Sequence, residues 1–141
     1  MPKGHKGKLY DNCGDKKCEK ENQLDNVRCF CTNACSVIGK TDELSLRIVD
    51  YDIVGITESW GTNDISNAEL NLPGFQLFRV DRNTRGGGVL LYVSEGIEAV
   101  RMENVTTFGF NDCLWCKLCV HGTKLIVSVC YLSPANSSAN D

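Results

Sequence analysis

Apolar residues gather in short blocks along the chain, and the spacing inside the blocks changes from one to the next. Val27-Arg28-Cys29-Phe30-Cys31 alternates and predicts a strand. From Lys40 to Tyr51, Leu44, Ile48 and Tyr51 fall at helical spacing, with Thr41 placed to cap the start. Ile53-Val54-Gly55-Ile56-Thr57 is then a continuous apolar run, as expected of a strand covered on both faces. Strand, helix and strand in that order predict a βαβ-like start.

The stretch from Gly61 to Gly74 is loop-rich, with Pro73-Gly74 as a turn signal. Phe75 to Val80 predicts a short strand and Val89 to Val93 a buried one. Between them, Arg82 to Gly88 reads as a flexible basic loop. Cys113 to Val120 and Lys124 to Tyr131 predict two more strands, joined as a hairpin at His121-Gly122-Thr123. Residues 1–25 are polar and without periodicity, which predicts a mobile leader before a folded region of residues 26–141.

Composition narrows the class. The 141 residues suffice for one domain, and 42% hydrophobic content supplies a core. The net charge is −3, unevenly spread: residues 1–20 carry six Lys and three acids, the rest nine basic and fifteen acidic groups. A binder of nucleic acid by charge alone usually shows a basic face, and the body of this chain does not. An acidic body still suits an enzyme whose carboxylates hold a divalent cation against phosphate. No apolar run has the length of a membrane span, and no apolar stretch follows the N-terminus as in a secretory signal. That predicts an intracellular, reducing compartment, the nucleus among the options, and free thiols for the nine cysteines.

Three strand ends carry polar residues that strands do not need: Asn33, Glu58 and Tyr131. Ligands gather where strand ends meet loops. A carboxylate directly after a buried strand is costly unless solvated, paired or metal-bound. The bland alternatives are a turn cap for Asn33, an exposed loop acid for Glu58 and a half-buried strand aromatic for Tyr131. Gly86-Gly87-Gly88 lacks a Lys-Ser/Thr signature and precedes a strand, so it reads as a flexible turn and not a nucleotide loop. Cys113-x-x-Cys116-x-x-Cys119 hints at zinc, yet on a strand each successive pair points to opposite faces, while Trp115 and Leu118 read as core.

The strings around these residues form an ordered set. They include Thr32-Asn33-Ala34-Cys35-Ser36, Tyr51-Asp52-Ile53-Val54-Gly55-Ile56-Thr57-Glu58-Ser59-Trp60 and Leu72-Pro73-Gly74-Phe75. Asp81-Arg82, Arg85-Gly86-Gly87-Gly88-Val89, Leu114-Trp115 and Cys130-Tyr131-Leu132-Ser133-Pro134 follow. From about Val27 to Ser138 the chain resembles the endonuclease/exonuclease/phosphatase family. The nearest likeness is the apurinic-type endonuclease domain of non-LTR (LINE-type) retrotransposons. The resemblance implies a DNase I-like four-layer α/β sandwich, two packed sheets flanked by helices, of which this is the N-terminal half. It implies Mg²⁺-dependent hydrolysis of DNA, with a reverse transcriptase on the parent chain. Glu58 then resembles the metal carboxylate, Asn33 the amide beside it and Tyr131 the hydroxyl near the phosphate. Asn136 is a weaker match for substrate contact. Arg82 and Arg85, beside the glycines, are placed to reach DNA phosphate, with an ordinary solvated loop as the bland alternative.

The departures are also informative. The family often has Arg where this chain has Cys35 and Leu132, and Ala135 is inserted before Asn136. The resemblance implies an Asp-x-Asn motif after Tyr131 and a terminal Asp-His pair, and the sequence has neither. The expected consequences are inactivity in isolation and self-association through uncovered sheet edges. The competing readings are a non-catalytic remnant of the same ancestry and a thiol-rich zinc module.

Overall fold

The computed structural model describes residues 27–82, 86–103, 105 and 112–132. β1 (Cys29–Asn33) lies parallel to β2 (Ile53–Thr57), with Cys29 opposite Ile53 and Asn33 opposite Thr57. Helix α1 (Thr41–Arg47) forms the connection between them. β3 (Phe75–Val80) and β4 (Val89–Ser94) are antiparallel, and β4 also pairs with β2, giving a four-stranded sheet in the order β1-β2-β4-β3. A second, antiparallel sheet has the order β5-β6-β7, from β5 (Glu98–Arg101), β6 (Asp112–Val120) and β7 (Thr123–Tyr131). A one-turn helix, α2 (Asn67–Leu70), precedes β3.

The period of two divides the central strands between two cores. One face of β2 and β4 sends Ile53, Leu91 and Val93 against Leu114, Cys116, Leu118 and Val129 of the second sheet. The other face sends Val54, Ile56, Leu90 and Tyr92 against Leu44, Ile48, Leu70 and Leu72. Full burial of each such side chain stabilises the fold by about 1.5–3 kcal/mol before entropy is counted. Gly55 permits the close approach of the sheets, because a Cβ there would sit 3.1 Å from Val129 Cγ2. Tyr92, wholly buried, donates to Leu70 O over 2.7 Å and so ties α2 to the sheet.

The chain is thus a mixed α/β fold, mostly strands in two packed sheets, with helices on the outer face of the first. On the outer face of the second sheet Val100 and Ile126 stand exposed. No helix among the described residues is long and apolar enough to cross a membrane.

The βαβ-like start, the buried β2 and the β6–β7 hairpin agree with the pattern read from sequence. His121 and Gly122 both have positive φ, as a two-residue hairpin turn of this twist requires. Other details differ. β1 runs from Cys29 through Asn33, so Asn33 ends the strand instead of following it. The helix stops at Arg47, and Thr41 is its first residue and not its cap. α2 lies inside the stretch read as loop. A signal for it was present in Ser66 and Glu69, which stand at capping-box spacing with side chains 3.5 Å apart. β5 has only four residues and little apolar character, so its alternation was missed. Trp115 is half-buried on the face opposite Cys116 and is not core.

Candidate active site

The C-terminal ends of β1 and β2 lie side by side, and the loops leaving them stay paired. Ala34 N donates to Thr57 O (2.9 Å), Ser36 N to Glu58 O (2.8 Å) and Val37 N to Ser59 O (3.1 Å). On the other flank Ser59 N donates to Gly88 O (3.2 Å) and Trp60 N to Gly87 O (2.9 Å). Glu58 is therefore strapped between two loops, with φ at +52°. A left-handed conformation costs a non-glycine residue about 1–2 kcal/mol. Such strain persists where the surroundings over-determine it, and it collects at functional sites. Cys35, Ser36 and Trp60 share the positive φ.

This backbone turns the Glu58 carboxylate toward the second sheet. The Tyr131 hydroxyl, at the end of β7, donates to Glu58 Oε1 over 2.8 Å. The Cys35 thiol stands 3.5 Å from Oε2 and 3.4 Å from Asn33 Oδ1. Asn33 Oδ1 also accepts from Cys35 N (3.2 Å), while its amide donates to the carboxylate. Asn33 thus caps a turn, its bland alternative, and touches Glu58 as well. Hydrogen bonds, first from Tyr131 and then from Asn33, hold the Glu58 carboxyl below its usual range against some desolvation. The same contact with Glu58 raises the Tyr131 hydroxyl, and a hydrogen bond to Glu58 raises the Cys35 thiol. The group is a solvent-facing anion with donors arranged around it. A cleft of about 200 Å³ lined by Asn33, Lys40 and Arg47 borders it without reaching Glu58 or Tyr131.

A second, buried network supports the first. Asp112 lies opposite Tyr131 on β6 and is only 2% exposed. Its carboxylate pairs with Arg82 (3.2 Å) and accepts from Gly88 N (3.2 Å). A buried carboxylate demands such partners, because unpaired it would be strongly destabilising. Gly87, at φ +67°, has no room for a Cβ, which would fall 2.7 Å from both Arg82 Nε and Asp112 Oδ2. The triple glycine is therefore not simply a flexible turn. Gly87 and Gly88 are buried and fasten Ser59 and Trp60 on one side and Asp112 on the other.

Asn33, Glu58 and Tyr131 come together as expected from their strand ends. Arg85, Asn136, the leader and its Cys13 and Cys18 lie outside the described residues. Asp112 and the contact made by Cys35 were missed. The signal for Asp112 was a charged residue opening an apolar strand. Cys116 is buried between the sheets, its thiol pushed up to about 11 by desolvation, while Cys113 and Cys119 lie on the opposite face. Among the described residues, no group of three or more His, Cys, Asp or Glu could hold a metal ion.

No family model matches the chain, and no curated protein matches it.

Proposed function

We propose that the chain carries part of a Mg²⁺-dependent DNA phosphodiesterase site of the endonuclease/exonuclease/phosphatase class, centred on Glu58. The supporting observation is the Glu58 carboxylate itself. It is held at positive φ beyond a buried strand, kept ionised, and met by a hydroxyl from the other sheet. Two packed sheets with helices outside the first are compatible with part of a four-layer, DNase I-like sandwich.

The donor set fits magnesium. That ion takes hard oxygens, keeps several waters, and is commonly held by one or two carboxylates together with substrate phosphate. Glu58 would hold it. A bound Mg²⁺ would supply charge stabilisation at phosphate oxygens. Asn33 orients the carboxylate and offers its amide N–H groups at the same edge. Tyr131 fixes one carboxylate oxygen by donating its hydroxyl proton to it. Arg82, anchored by Asp112, adds a cation near Tyr131. In this reading DNA is the partner, and the parent chain carries a reverse transcriptase.

The reading is tested by retention of a short DNA duplex. Retention is expected in Mg²⁺ and not in EDTA, and Glu58→Gln is expected to abolish the difference. Retention that ignores the metal and the substitution counts against it.

A further inference from the structure

Cys113 and Cys130 face each other directly across the β6–β7 ladder, and their sulfurs approach to 2.6 Å. Opposed Cα atoms in an antiparallel pair lie about 4.5–5.5 Å apart. That falls inside the span of about 4.4–6.8 Å that a disulfide bridges, so the strands need not move to close one. Both residues are free thiols and only half-buried. They lie on the face of the second sheet away from Cys116 and Val129, where solvent reaches them. Ser128 Oγ stands 3.0 Å from the Cys130 sulfur and 3.7 Å from that of Cys113, a polar neighbour for a developing thiolate.

We propose that Cys113 and Cys130 are an oxidisable dithiol, a modification site that closes to a cross-strand disulfide with a low-molecular-weight disulfide as oxidant. One thiolate of the pair attacks a sulfur of the oxidant, forming a mixed disulfide and releasing one small thiol. The second protein thiolate then attacks its partner's sulfur and expels the other small thiol. The protein loses two protons and two electrons, and the oxidant gains both. The facing thiol stands at contact distance, so the second step outruns accumulation of the mixed disulfide. Burial, followed by the hydrogen bond shared with Cys113, raises the Cys130 thiol against the pull of Ser128. Since the thiolate is the attacking species, the exchange speeds up as pH rises. The crosslink pins the end of the hairpin that carries Asp112 and Tyr131, but it stands whether or not Glu58 serves a metal.

The test uses the reduced full chain, oxidised glutathione as probe, alkylation of the remaining thiols and peptide mapping by mass spectrometry. The expected product is a Cys113–Cys130 linked peptide lighter by two hydrogen atoms, with no glutathione retained on either residue. Cys113→Ser is expected to leave Cys130 carrying glutathione, and Cys116→Ser to leave the crosslink unchanged. Glutathione retained on both Cys113 and Cys130 overturns the proposal. So does failure of the pair to react where the exposed Cys31 and Cys35 do.

Discussion

The Tyr131 hydroxyl meets Glu58 Oε1 at 2.8 Å across 73 positions of sequence, joining the end of the second sheet to the end of a strand in the first. The bond is the main reason the Glu58 carboxyl sits low, and it fixes one of the two carboxylate oxygens.

Tyr131→Phe removes that donor. The Glu58 carboxyl is expected to move up toward the ordinary glutamate range, read by carboxyl-carbon NMR across an acid titration. A carboxyl depressed in the folded state contributes stability above its unfolded value and loses it as pH falls through the folded value. The wild type should therefore lose more stability than the variant on acidification through that window. An unchanged Glu58 titration in Tyr131→Phe would contradict the contact.

Asp112→Ala strands the Arg82 guanidinium and the buried Gly88 N–H. Breaking a buried pair by removing one partner costs about 3–5 kcal/mol, and the partial exposure of Arg82 places this case at or below the lower end of that range. Urea unfolding measures it. Asp112→Asn keeps an acceptor for Gly88 N and should lose less. A loss below about 1 kcal/mol for the alanine variant would mean that the network does not hold the two sheets in register.

The fold was legible wherever one local rule governed. β2 and β4 are continuous apolar runs because both faces are covered, and such runs announce themselves. The β6–β7 hairpin is announced by His121-Gly122 between alternating strands. β5 and α2 are too short for periodicity to register. The site was half legible. Asn33, Glu58 and Tyr131 stand out as polar residues at strand ends, each visible from its own neighbours. The Arg82–Asp112 pair is a long-range contact, and nothing adjacent to either residue specifies the other. The positive φ of Glu58 has no sequence mark either, because the loops on both flanks impose it. Gly86-Gly87-Gly88 was visible as a pattern, but its constraint comes from Asp112, 24 positions on from Gly88.

Plasmid nicking in Mg²⁺ by this chain alone is expected to stay at background. Hydrolysis needs an oriented nucleophile as well as charge stabilisation. Among the described residues the groups bonded to the Glu58 carboxylate are Tyr131, Asn33 and Cys35, with no His or second carboxylate among them to orient a water. Nicking that vanishes in Glu58→Ala would show that the chain completes its site through groups not identified above, or through a second copy.

The most direct test of the Glu58 site is a Mn²⁺ titration followed by amide NMR, with Mg²⁺ as competitor. Paramagnetic broadening is expected first at residues 33–36, 58–60 and Tyr131, reversed by excess Mg²⁺ and absent in Glu58→Gln. Broadening centred elsewhere, or the same in the variant, would contradict a metal site at Glu58.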